Sequence, residues 1–158
     1  MPHLISGASA CAGLSNVTPS CQARGKSTTT SLTAASNDFD YITGWTTTDF
    51  NHGGLLTSGG YVEIPNGFGG KYFMTWATNG TDSTASYNTA WIYLYDGSSY
   101  TQLQRDYGAN DYTNYTTGSS YIFHFDVGDR LYFGYDDRYS IPAANNHYSR
   151  MNMRFLEH

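Results

Sequence analysis

Charge is scarce in this chain. Only 13% of its 158 residues are Asp, Glu, Lys or Arg, about half the usual share. Lysine occurs twice, as Lys26 and Lys71. Thr, Ser, Gly, Tyr and Asn dominate instead. That mixture starves helices of Leu, Glu, Lys and Ala and suits strands and turns. No stretch approaches the ~20 apolar residues of a membrane-spanning helix. The first residues lack a basic region followed by an apolar run, so no signal peptide is expected in this sequence. Gly-x-Ser-x-Gly, His-Glu-x-x-His, a phosphate loop and a dinucleotide fingerprint are all missing. The five histidines are scattered, and the expectation is a non-enzymatic protein. No pair among the thirteen acids is singled out for glycoside chemistry. The two cysteines, Cys11 and Cys21, read as free thiols in preference to a disulfide closing a short loop. With His3 alone nearby they are too few for structural zinc.

The net charge of −5 is unevenly spread. Residues 1–37 hold Arg24, Lys26 and no acid, a net +2, so residues 38–158 carry −7. An acidic main domain argues against a nucleic-acid partner, which needs a basic face. Residues 1–37 show neither strand nor helix periodicity and are expected to form an extended arm. Two roles stand for it: an inert terminus, or an anchor that orders on a partner. Residues 38–155 are expected to form one domain. Leu156, Glu157 and His158 resemble the start of a vector-encoded tag.

What is abundant is aromatic: 16% of the residues, with 15 tyrosines. Gly118–Asp137 shows how they are laid out. Tyr121, Phe123, Phe125 and Val127 fall on one face of a strand, and Ile122, His124 and Asp126 on the other. Val127-Gly128-Asp129 supplies a turn. Leu131, Phe133 and Tyr135 then resume the alternation. Strands are also expected at Asp40–Thr46, Tyr61–Ile64, Gly70–Thr78, Thr89–Tyr95, Thr101–Arg105 and Tyr148–Phe155, with a Gly-rich loop at Asp49–Gly60. About eight short strands without a helix suit an all-β sandwich or jelly roll. Several strands carry large residues on both faces, whereas a sandwich core needs one. An oligomer that buries the second faces explains this economically; a monomer with a Tyr-rich surface is the alternative.

Gly60-Tyr61-Val62-Glu63-Ile64-Pro65, then Gly70-Lys71-Tyr72-Phe73, then Phe125-Asp126-Val127-Gly128-Asp129-Arg130-Leu131, with a last strand ending near Phe155, together resemble the C1q/TNF-like jelly rolls. The resemblance covers about residues 40–155. It implies a ten-strand jelly roll assembled as a homotrimer around an aromatic-lined three-fold axis, and a Gly-Asp hairpin before the Leu131 strand. The arm has no collagen Gly-X-Y repeat and no coiled-coil heptads. The Phe-Ser-Gly usual near the last strand is replaced by His147-Tyr148-Ser149. The chain therefore resembles a distant, microbial or phage version, without a cytokine role.

On that basis Trp45, Phe73, Trp91, Tyr93, His124 and Tyr132 are expected at the trimer interface, with His124 in an inter-subunit hydrogen bond. The Tyr-rich stretch Gly97–Tyr121 has the chemistry of adaptable recognition loops. Tyr100, Tyr107, Asn110, Asp111, Tyr112 and Tyr115 are its candidate ligand residues, a surface glycan the candidate ligand, and packing against a neighbouring subunit the alternative. Asp136 and Asp137 are a candidate calcium site or a solvated loop; no other cofactor is expected. The expected function is a trimeric structural or attachment module, a phage decoration (cement) protein or fibre knob whose residues 1–37 dock on a capsid or fibre of the virion. A secreted C1q-like lectin or adhesin, extracellular and bound to carbohydrate through the Tyr loop, is the second reading.

Overall fold

The structure, a computed structural model, describes residues 18–31, 39–80, 87–109, 115–136 and 149–158. Every regular element among them is a strand. These are β1 (Ser20–Ser31), β2 (Phe39–His52), β3 (Val62–Glu63), β4 (Gly70–Gly80), β5 (Tyr87–Tyr95), β6 (Tyr100–Ala109), β7 (Tyr115–Phe125), β8 (Arg130–Asp136) and β9 (Ser149–Glu157). They form one hydrogen-bonded sheet in the order β6-β5-β8-β2-β1-β9-β4-β7, with the short β3 added to β8. Every pairing is antiparallel. The outermost strands β6 and β7 approach each other, as do β4 and β5. The sheet thus curls into two halves, β1-β9-β4-β7 and β2-β8-β5-β6, as a jelly roll does.

Alternation fills the space between the halves. Tyr72, Met74 and Trp76 of β4, Met151 and Met153 of β9 and Phe125 of β7 are buried there. They belong to one core cluster with Ile42, Ala90, Ile92, Leu131 and Phe133 of the other half. Each of the large apolar side chains among them contributes about 1.5–3 kcal/mol through burial. Trp76 ties the halves together: its Nε1–H donates to the Gly134 carbonyl at 3.2 Å, and its ring lies 5.8 Å from Phe133. Gly134 is needed at this point, because a Cβ there would collide with the Asp40 carbonyl oxygen and the Phe39 ring.

Two expectations are corrected. Residues 20–31 are not part of an arm. They form β1, central in the sheet between β2 and β9. Cys21 and Ala23 are fully buried, while Gln22 and Arg24 on the alternate positions face outward. The strand period is present, but its inward residues are small, so it carries little apolar signal. Pairing with β1 also carries β2 through to His52, into the stretch expected as a Gly-rich loop. Second, β7 and β8 are not a hairpin. β7 pairs with β4, while β8 pairs with β2, β3 and β5. The Val127-Gly128-Asp129 turn therefore crosses from one half to the other. Ile64 holds it, accepting from Gly128 N–H and donating to the Asp129 carbonyl, both at 2.9 Å. The Asp129 carboxylate accepts the Asp126 N–H at 2.9 Å, and burial pushes its pKa up. Two of the motifs that carry the resemblance, around Ile64 and around Gly128, thus meet in space.

At the same end of the domain, β9 continues into the residues expected as a tag remnant, next to the start of β4. Glu157 pairs with Lys71 at 2.6 Å, which holds the Glu157 carboxyl below its usual range.

Candidate functional site

The outward face of β1-β9-β4-β7, extended by the Phe50–His52 end of β2, is built from the positions that alternate with the core. The strand registers align it into rows. Ile122 sits opposite Phe73, Phe73 opposite Arg154, Arg154 opposite Ser20, and Ser20 opposite His52. The adjacent row is Ser120, Thr75, Asn152, Gln22 and Phe50. At about 4.8 Å between strands, each row spans roughly 19 Å. Apolar groups occupy its two margins. Phe73 is 38% and Ile122 62% exposed on one side, and Phe50 is 37% exposed on the other, stacked on His52 at 5.4 Å. Between them lies a concavity of about 540 Å³, walled by Phe50, His52 and Phe73 and floored by Ser20, Asn152 and Arg154.

A bulge shapes the polar side of this face. Gln22 pairs with Phe50 and Ala23 with Thr48, so Asp49 is the extra residue on β2. Such a bulge re-aims a side chain. The Asp49 carboxylate accepts from Gln22 Nε2 at 2.8 Å and from Arg24 Nε and Nη2 at 3.1 and 2.8 Å. Arg24 lies opposite Arg150 on β9, and directly opposed like charges repel. Asp49 offsets part of that repulsion. Beneath this face, Cys21 is a free, buried thiol whose pKa burial pushes up to about 12.

The other half is different. The outward side of β5 and β8 carries Trp91, Tyr93 and Tyr132, and these are buried within the chain. Phe39 stacks on Trp91 at 5.7 Å and lies 4.6 Å from Tyr93. The Arg105 guanidinium lies 4.3 Å from the Trp91 ring. Tyr41, Tyr61, Tyr95 and Tyr100, all half-buried, pack around this second cluster.

The six residues expected at a subunit interface are therefore divided. Phe73 and His124 are exposed on β4 and β7. Trp91 (1% exposed), Tyr93 and Tyr132 are covered by the chain's own aromatics, which leaves a partner almost nothing to bury. Trp45 packs on the main core, 5.9 Å from Trp76, and donates its Nε1–H to the Gly60 carbonyl at 3.0 Å. Phe50, Ile122 and Arg154 of the outward face are not among the six, although strand alternation puts Ile122 and Arg154 on that side. Ile122 had the clearest signal, as an aliphatic residue on the back of a strand. Phe50 lay in the presumed loop.

Of the Tyr-rich candidates, Tyr100 opens β6 and packs on Tyr95 and Tyr132 at 4.7 and 5.6 Å. Tyr107 pairs with Thr89 along the backbone and Tyr115 with Gly80. Asn110, Asp111 and Tyr112 lie outside the described residues. For the calcium candidates, Asp136 pairs with Phe39 at the end of β8, and Asp137 lies outside the described residues. Among the described residues, no three His, Cys, Asp or Glu side chains gather in a metal-binding group.

Compared with protein-family models and curated protein sequences, the chain finds no match. Solved structures do resemble it. Murine APRIL at pH 8.0 superposes with a TM-score of 0.68 at 15% identity, over 87% of this chain and 98% of that one. The Eiger TNF structure from S. frugiperda gives 0.63 at 13%, over 89% and 94%. The globular domain of zebrafish complement 1qA gives 0.63 at 8%, over 88% and 98%. The fold is thus a C1q/TNF-like jelly roll.

Proposed function

We infer that this chain forms the head of a non-enzymatic homotrimeric attachment or structural module. Three copies join through the outward face of β1-β9-β4-β7. One observation carries this reading. The apolar margins Phe73–Ile122 and Phe50 stay exposed beside a concavity, whereas the aromatics of the opposite side are covered by the chain itself. Contiguous exposed apolar groups mark interaction surfaces. In a cyclic trimer the contact is heterologous, so different parts of the face meet. We place the β7 margin, with Ile122 and, two alternate positions further on, the acidic Asp126, in the concavity of the next copy beside Arg154.

The setting we favour is a virion, with the trimer as a decoration protein or fibre knob. With β1 inside the sheet, the segment left to dock on a capsid or fibre is residues 1–17. The composition supports this setting: few charges, a compact head and a segment without strand periodicity ahead of it.

Light scattering on the full chain and on a Phe73→Asp/Ile122→Asp variant tests the assembly. A trimer that the variant dissolves into folded monomers is expected. A wild-type monomer at micromolar concentration would remove the proposal. Docking is tested by sedimenting the full chain and residues 18–158 with particles; only the full chain is expected to co-sediment.

A further inference from the structure

We propose that the tyrosine cluster on the outward side of β2-β8-β5-β6 is a binding platform for a neutral saccharide. Tyr132, itself only 6% exposed, is the buried base on which the ligand-facing rings are set. Three half-buried tyrosines surround that ring: Tyr41 edge-on at 4.9 Å, Tyr61 tilted at 5.2 Å and Tyr100 at 5.6 Å. Tyr95 backs Tyr100 at 4.7 Å. Neighbouring strands and loops thus gather five phenol rings in one patch. The Tyr41 and Tyr132 phenols, whose ordinary pKa of about 10 burial raises further, are neutral donors and acceptors at physiological pH.

A charged pair borders the rings. Arg130 Nε donates to Glu63 Oε2 at 2.9 Å, and both side chains are about two-fifths exposed. The Arg130 guanidinium lies 5.4 Å from the Tyr61 ring. Phenol faces accept the C–H face of a pyranose, and phenol hydroxyls bond its O–H groups. A planar guanidinium beside a carboxylate offers adjacent donors and acceptors to vicinal hydroxyls. Arg130 and Glu63 cancel in charge, which favours a neutral sugar over an acidic one.

The platform is also rigid. The Asp96–Ser99 turn beside Tyr95 and Tyr100 is closed by the Asp96 carboxylate. It accepts from Ser98 N, Ser99 N and the Ser98 hydroxyl, each at 2.8 Å. These bonds hold Asp96 well below the usual carboxylate range, the Ser99 N–H most of all. Tyr95 OH donates to the Gly97 carbonyl at 2.8 Å. Tyr rings fixed in this way contribute contact area at low entropy cost. The site uses one chain only and does not depend on the assembly proposed above.

The test is calorimetry of the full chain against neutral oligosaccharides of glucose, mannose and galactose, after an array has selected the best of them. Binding near a millimolar Kd is expected for one shallow site, about −4 kcal/mol. Tyr61→Ala and Tyr100→Ala should each weaken it about tenfold or more, equivalent to 1.4 kcal/mol. Tyr61→Phe and Glu63→Gln, which keep ring and shape, should cost a few-fold each and control for misfolding. All variants should keep the wild-type solution mass, separating loss of sugar binding from loss of assembly. No binding by the wild type at about ten times that concentration would overturn the proposal. So would undiminished affinity in Tyr61→Ala and Glu63→Gln, or binding of a proline-rich peptide with no binding of sugar.

Discussion

The two outward faces of this jelly roll carry similar residues and have different fates. On the β2-β8-β5-β6 side, Trp91, Tyr93 and Tyr132 sit behind Phe39 and a ring of tyrosines. On the β1-β9-β4-β7 side, Phe73, Ile122 and Phe50 remain in solvent. A strand with large residues on both faces therefore signals a second covering layer without saying whose it is. The chain supplies that layer on one side; on the other, a second copy of the chain is the proposed supplier.

The largest effect expected from this contrast is at Trp91. Trp91→Ala should cost about 3–5 kcal/mol of stability, as deletion of a buried aromatic does, and leave the solution mass at wild-type protein concentrations unchanged. Urea unfolding with light scattering checks both. A fall in mass with stability intact would reverse the roles of the two faces.

Next in size is the charge reversal across the proposed subunit contact. Arg154→Glu and Asp126→Arg should each raise the dissociation midpoint at least tenfold, about 1.4 kcal/mol, and the double reversal should recover most of it. Dilution series followed by light scattering would show this. Additive losses in the double variant would break the pairing of those two residues.

Beneath the exposed face, Cys21 reports local protection. In a Cys11→Ser background the folded chain should not react with a disulfide reagent at neutral pH, and urea should expose one thiol. The sign of its pH dependence follows from burial. The folded pKa of about 12 lies above the unfolded value of about 8.5. The stability contributed by the neutral thiol is therefore complete below about pH 8.5 and is lost as pH rises towards about 12. Replacing Cys21 with Ala should lower overall stability and flatten that alkaline decline.

The smallest effect is expected on the polar part of the same face. Asp49→Asn leaves hydrogen-bonding capacity and removes charge from a partly exposed pair with Arg24. It should cost no more than about 1 kcal/mol, more at low salt than at high.

Much of the fold was legible because its strands carry large apolar residues at every second position. The periods at Gly70–Thr78 and Tyr121–Val127 became β4 and, as far as Phe125, β7, and the segments around Ile64 and Gly128 signalled a C1q/TNF-like jelly roll. β1 escaped notice because Cys21 and Ala23 are small and Gly25 has no side chain, so burial leaves almost no hydrophobic trace. The β7–β8 crossover was hidden for another reason: a Gly-containing turn looks alike whether its strands pair with each other or with two different halves. Of the residues expected at a subunit interface, Phe73 and His124 lie exposed, whereas Trp91, Tyr93 and Tyr132 are covered. Alternation separates two faces of a strand; it does not reveal that Phe39, distant in sequence, covers one of them.

The most direct test of the contrast between the faces is the solution mass of the wild-type chain beside Phe73→Asp/Ile122→Asp at the same micromolar concentration. Three chains per particle for the wild type and one folded chain for the variant are expected. One chain per particle for both would contradict a subunit contact on β1-β9-β4-β7, and three for both would place the contact elsewhere on the molecule.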